Sequence, residues 1–215
     1  MKKSLLMGNL FLAMFAVWTA LIQSVDVQPL GQNGTNIGFA TFNCWFHHFT
    51  GVNMAIYTIT DWMGLMPVVI CLIFAGIGLV QLIQRRSLFR VDADILILGV
   101  YFVIVFLAYA IFETIPINYR PILIEGRMEA SYPSSTTLLV LSVMPALIEQ
   151  IQRRLYGIGV KRIITIAAIA FSVFMVAGRL VSGVHWFTDI VGGELLSAGL
   201  FKLYKAAVLL ALKEK

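Results

Sequence analysis

Charge is what this chain has least of. Only 13% of its 215 residues are Asp, Glu, Lys or Arg, where a soluble globular domain carries about 25%. A water-facing surface cannot be built from that composition, so a soluble domain is excluded. Cysteine is scarce as well, with Cys44 and Cys71 alone. Cys71 lies inside an apolar run, and neither residue has metal-type spacing, which excludes a disulfide framework. There is no internal repeat, no low-complexity tract and no sign of a second domain, so residues 1–215 read as one unit.

What is present is hydrocarbon. Hydrophobic residues make up 60% of the chain, arranged in runs that approach the roughly 20 residues needed to cross a bilayer core. Six spans are predicted, at Leu5–Ile22, Gly64–Ile83, Ile95–Phe112, Ser134–Gln150, Ile163–Arg179 and Asp189–Leu212. The first follows Met1-Lys2-Lys3 without a clear cleavage site and reads as a retained helix. The sixth carries Glu194, Lys202 and Lys205, so one of its faces is expected to pack on other helices or to reach the interface. The fold class is therefore all-α, a bundle of six transmembrane helices.

The bases set the orientation. All but three of the 16 Lys and Arg residues fall on one side: Lys2 and Lys3, Arg85, Arg86 and Arg90, Arg153, Arg154, Lys161 and Arg162, then Lys202, Lys205, Lys213 and Lys215. By the positive-inside rule that side and both termini are cytoplasmic, in what reads as a bacterial plasma membrane. The high pI thus reflects topology, and no basic patch remains for nucleic acid. The exceptions, Arg120, Arg127 and Arg179, lie outside. The external segment from Val25 to Trp62 holds Phe39, Phe42, Trp45, Phe46 and Phe49 at helical spacing, the pattern of a short extracytoplasmic helix lying in the interface. His47 and His48 within it read as interfacial polar residues.

Two external stretches carry chemistry. In Gly178-Arg179-Leu180-Val181-Ser182-Gly183-Val184-His185-Trp186-Phe187-Thr188-Asp189, three ionisable groups stand at a membrane edge, where they are costly. Histidine can attack phosphorus, arginine can hold phosphate oxygens in a bidentate way, and aspartate can hold an imidazole. The loop between the third and fourth spans faces the same side. It holds Glu113, Arg120-Pro121, the run Glu125, Arg127 and Glu129, and Pro133-Ser134-Ser135-Thr136. Serine ahead of an apolar run is an N-cap signal, and a helix N-terminus is an anion site.

These motifs resemble those of the type 2 phosphatidic acid phosphatase family of membrane phosphatases. The third family motif, Ser-Arg, five residues, His, three residues, Asp, is matched by Arg179, His185 and Asp189, with Gly178 in place of the serine. The second, Pro-Ser-Gly-His, corresponds to Pro133-Ser134-Ser135-Thr136, so Thr136 stands where the family has histidine. The first, Lys, six residues, Arg-Pro, is matched by Arg120-Pro121, with Glu113 in place of the lysine.

The resemblance implies a phosphoric ester or diphosphate hydrolase without cofactor or metal, working through a phosphohistidine. His185 is the nucleophile, Asp189 orients it, Arg120 and Arg179 neutralise the transition state, and Ser134, Ser135 and Thr136 bind phosphate. In the family the second-motif histidine protonates the leaving oxygen. The Thr136 hydroxyl is far too weak an acid for that. The change favours a lipid pyrophosphate, whose leaving phosphate is already stable, or a different acid. Glu113 is one candidate; it could instead pair with Arg120 or Arg179, or contact a headgroup. The expected partner is an amphiphilic lipid phosphate held in membrane lipid, such as an isoprenoid carrier pyrophosphate, phosphatidic acid or phosphatidylglycerol phosphate. No obligate protein partner is evident. A phosphotransferase and a catalytically weak protein that binds or moves lipid phosphates are the alternatives.

Overall fold

The computed structural model describes residues 1–213, so Lys215 lies outside the described residues. It is all-helical, with α1 (Lys2–Ile22), α2 (Ala40–Thr50), α3 (Met54–Met63), α4 (Leu65–Arg85), α5 (Ala93–Thr114), α6 (Ser135–Arg154), α7 (Ile158–Val181) and α8 (Phe187–Ala211). The six predicted spans correspond to α1 and α4 to α8. The helices run further than the apolar runs did, because charged residues at their ends continue the backbone pattern past the hydrocarbon: α6 reaches Arg154 and α7 begins at Ile158. The external segment holds one helix more than expected, since α3 precedes Gly64.

By length and apolarity, α1, the near-continuous α3–α4 stretch, α5 and α7 are fit to cross a membrane. Their outward faces carry exposed Leu6, Leu72, Val100 and Val173, a surface stable only in lipid, and the protein is an integral membrane protein. Helices α6 and α8 are long enough, at 20 and 25 residues, but more polar. They are the inner helices: α8 packs on α1, α5 and α6, and α6 also packs on α7. Their polar side chains meet protein partners. Gln150 Nε2 donates to Tyr204 Oη at 2.9 Å and Lys205 Nζ to Glu149 Oε2 at 2.9 Å.

Small residues set the helix spacing, as they do where backbones must approach closely in a membrane. A Cβ at Gly8 of α1 would meet Leu203 at 2.7 Å, and one at Gly199 of α8 would meet Leu12 at 2.7 Å. At Gly192 the neighbour is the Tyr132 ring, 2.4 Å away. At the basic end, Arg154 bridges to Asp92 at 3.3 Å and to Asp94 at 2.7 Å, tying the end of α6 to the start of α5. The opposite end gathers the C-termini of α1, α5 and α7, the N-termini of α6 and α8, and helices α2 and α3.

Gly192→Ala should lower stability by about 1–3 kcal/mol, because the rigid Tyr132 ring cannot yield to an added methyl. Gly76→Ala on α4, whose added methyl meets nothing within 4 Å, should be neutral or stabilise by about 0.5–1 kcal/mol through helix propensity. Thermal unfolding of both variants in detergent checks the contrast.

Candidate active site

The site is built where α7 ends and α8 begins. Val181 closes α7, and the chain turns through Ser182 and Gly183 before His185. Gly183 has φ +68°, and a Cβ there would lie 2.0 Å from the Gly51 carbonyl oxygen, so only glycine permits this turn beneath the end of α2. The half-buried His47 of α2 bonds the Gly183 carbonyl through Nε2 at 3.1 Å. Asn43 Nδ2 donates to Thr188 Oγ1 at 3.0 Å. Helix α2 therefore fixes the backbone on both sides of His185, while its Trp45 and Phe49 face outward.

The other wall is the loop between α5 and α6. It is a hairpin turning at Glu125-Gly126, both with positive φ, and Arg120 N–H donates to the Glu129 carbonyl at 3.1 Å. Ser131 N–H donates to the Asn118 carbonyl at 2.9 Å. The hairpin puts Arg120 and Ser131 beside His185.

His185 is buried at 3% exposure. Its Nδ1 lies 3.2 Å from the Ser131 carbonyl oxygen. A carbonyl only accepts, so Nδ1 carries the hydrogen. Burial, then Arg120 and Arg179, push the ring's pKa well below the usual histidine range. The ring is therefore neutral, and Nε2 is an unprotonated lone pair, buried and without a hydrogen-bond partner. Arg120 Nη1 and Arg179 Nε are likewise buried and unpartnered, while Arg120 Nε makes no hydrogen bond but lies 3.2 Å from Glu129 Oε2. A nucleophilic nitrogen among idle guanidinium donors is the arrangement a phosphoryl group would complete.

Asp189 stands differently from the expectation. Its Oδ2 is 3.7 Å from His185 Nδ1, too far for a hydrogen bond. Instead it accepts from Trp186 N–H at 2.9 Å, a capping contact that starts α8. The tautomer of His185 is held by Ser131, and Asp189 acts on the ring as a nearby negative charge. Asn118 and Ser131 flank this carboxylate.

The three residues expected to bind phosphate part company. Ser134 is the predicted cap of α6, its Oγ accepting from Thr137 Oγ1 at 3.1 Å and from Thr137 N–H at 3.5 Å. Its hydroxyl is thereby engaged within the helix turn. Ser135 lines a small cavity with Glu113, Ser131 and Tyr109. Thr136 packs towards the end of α3, 3.6 Å from where a Cβ on Gly64 would lie. Glu113 makes no ion pair among the described residues. Arg120 and Arg179 have nearer carboxylates: Arg120 Nε lies 3.2 Å from Glu129 Oε2 and Arg179 Nη2 lies 3.1 Å from Asp61 Oδ1.

Helix α3 supplies what sequence reasoning missed. It contributes Asp61, Thr60 and Tyr57, whose ring centroid is 5.0 Å from the Arg179 guanidinium and 5.7 Å from that of Arg120. A Cβ at Gly178 would fall 2.6 Å from Thr60 Cγ2, so the glycine that replaces the family serine makes room for α3. The available signal was Asp61, an acid set immediately before an apolar run. Among the described residues no group of three or more His, Cys, Asp and Glu side chains is placed to hold a metal ion.

The profile of the PAP2 superfamily matches residues 70–211. A crystal structure described as the first transmembrane PAP2-type phosphatidylglycerolphosphate phosphatase, from Bacillus subtilis, superposes with a TM-score of 0.68 at 18% identity, covering 97% of this chain and 98% of that one. No curated protein matches.

The depressed His185 pKa has a testable sign. The unfolded chain takes up this proton first, near pH ~6.5, so the stability tied to a neutral His185 is present above that pH and lost as the pH falls below it. At pH 6, ring-15N spectra should still show His185 as the neutral Nδ1–H form, its signals assigned by their loss in His185→Ala. A midpoint near 6.5 would contradict the buried, arginine-flanked ring.

Proposed function

Because the chain belongs to the PAP2 superfamily, we propose that it is a membrane-embedded phosphatase acting on the phosphate or diphosphate headgroup of a lipid, through a phosphohistidine on His185. One observation carries this reading: the unprotonated His185 Nε2 is buried and unpartnered beside the unpartnered donors of Arg120 and Arg179. Nε2 attacks phosphorus, and the ring becomes cationic as the N–P bond forms. Asp189, 3.7 Å from Nδ1, stabilises that charge, while Nδ1–H stays on Ser131. The two guanidiniums neutralise the equatorial oxygens in a site from which water is largely excluded. Water then releases phosphate. No metal is needed for these steps.

The site lies at the end of the bundle opposite Arg85, Arg154 and Lys161. With the basic end cytoplasmic, it faces the extracytoplasmic surface of a bacterial plasma membrane. A headgroup reaches it there while its tail stays in the bilayer. The similar solved structure is named for a phosphatidylglycerolphosphate phosphatase, which puts phosphomonoester lipids beside diphosphates in the test panel. An acceptor hydroxyl replacing water in the second step would make the same scaffold a phosphotransferase.

Purified protein in mixed micelles should release phosphate from at least one of phosphatidic acid, phosphatidylglycerol phosphate and an isoprenoid diphosphate. His185→Ala should reduce release by about 10³-fold or more, and Arg120→Ala by about 10²–10³-fold. Rapid acid-free quenching should trap labelled phosphate on the wild type and none on His185→Ala. No release from any substrate, with lipid binding unchanged by His185→Ala, would establish the binding-protein reading instead.

A further inference from the structure

The site just described has a nucleophile but no proton donor at the second-motif position. Resting on the phosphatase reading, we propose that Asp61, delivered by α3, is the general acid that protonates the leaving oxygen, in the role Thr136 cannot fill. Three geometric observations carry it. The end of α3 occupies the space next to Thr136, with Gly64 against its methyl. Asp61 lies one helical turn before Gly64, whose N–H donates to the Asp61 carbonyl at 3.0 Å. The Asp61 side chain then reaches the site itself, with Oδ1 3.1 Å from Arg179 Nη2.

The manner of that contact matters. The Nε–Nη2 edge of a guanidinium is one that seats a phosphate side-on with two hydrogen bonds. In Arg179 the Nε donor is buried and unpartnered, and Nη2 holds Asp61. A phosphate taking this edge arrives against the Asp61 carboxyl. Two anions on one guanidinium repel, so phosphate binding brings a proton onto the pair, between the carboxyl and the phosphoryl oxygens. Asp61 is 54% exposed, so that proton is exchanged with water.

The other carboxyls are placed less well. Glu113 lines a small cavity with Ser131 and Ser135 and contacts neither arginine as an ion pair among the described residues. Glu129 sits on the hairpin and approaches the other arginine, Arg120, at Nε.

The step balances. The Nε2 lone pair of His185 forms the N–P bond while the P–O bond to the leaving group breaks, and the Asp61 proton passes to that oxygen to release a neutral alcohol. In the second half, water attacks phosphorus and gives its proton to the Asp61 carboxylate. The N–P bond breaks back to the lone pair on Nε2, and inorganic phosphate leaves.

The experiment compares Asp61→Asn, Asp61→Glu and Glu113→Gln on two substrates, an alkyl phosphomonoester lipid and nitrophenyl phosphate, whose leaving oxygen is stable without a proton. In single-turnover measurements of the first step, Asp61→Asn should cut the rate of leaving-group release from the alkyl substrate by about 10²–10⁴-fold and of nitrophenol release from nitrophenyl phosphate by less than about threefold. Asp61→Glu should restore part of the loss, and retained nitrophenol release in that first step shows that the Asp61→Asn variant is folded. Equal losses on both substrates would overturn the proposal, leaving Asp61 as a prop for Arg179. A lower KM with unchanged kcat would overturn it in favour of a simple competitor for Arg179. Leaving-group-selective loss in Glu113→Gln instead would assign the acid to Glu113. Failure of the phosphatase reading looks different: wild type would release phosphate from neither substrate.

Discussion

Two guanidiniums buried beside one neutral imidazole are the constraint to which this end of the molecule answers. Arg120 is 8% exposed and Arg179 1%, and ions taken out of water cost several kcal/mol each unless partnered. The like charges also act on each other and on His185. The surrounding elements supply the offset. The hairpin between α5 and α6 brings Glu129 to one arginine, α3 brings Asp61 to the other, and Tyr57 lies between them with its ring face. None of these contacts uses all the donors. Those left idle are the ones an anion would take, so the electrostatic cost of the empty site is relieved in the complex.

The same economy of donors explains the roles inside the site. One carbonyl, that of Ser131, is enough to choose the tautomer of His185. That frees Asp189 to start α8 through the Trp186 N–H and to stand by as a charge. A carboxylate bonded directly to Nδ1 would pull the ring towards its protonated form. A carbonyl bond with a carboxylate held 3.7 Å away leaves the resting ring neutral and still meets the positive ring of an intermediate.

Much of this was legible in the sequence, and the reasons for the rest are physical. The long helices were readable because apolar runs are a one-dimensional signal. Helices α6 and α8 were the weakest of them because their hydrophobicity is diluted by residues such as Gln150 and Glu149, which meet protein. Arg179, His185 and Asp189 could be found as a spaced triplet in one stretch, and Arg120 and Ser134 from a turn and a cap. Helix α3 was hidden because its residues matter through contacts with a helix more than a hundred positions away. Nothing local to Asp61 or Tyr57 says that they stand on Arg179. The side-chain directions of Ser134, Ser135 and Thr136 were hidden for a related reason: consecutive residues at a helix start point to three different neighbours.

Helix α1 lies along α8, with Gly8 under Leu203 and Gly199 under Leu12. Trp18 reaches from its far end to the Thr188 carbonyl at 3.1 Å, one residue from Asp189. Of the long helices described, α1, the first in chain order, therefore has as its mate α8, the last. Until α8 emerges, α1 has no seam to fill, and the floor of the site, from Thr19 against Tyr132 to Trp18 against Thr188, has no closing wall. The order of synthesis keeps the nucleophile from being assembled before α8 has been made.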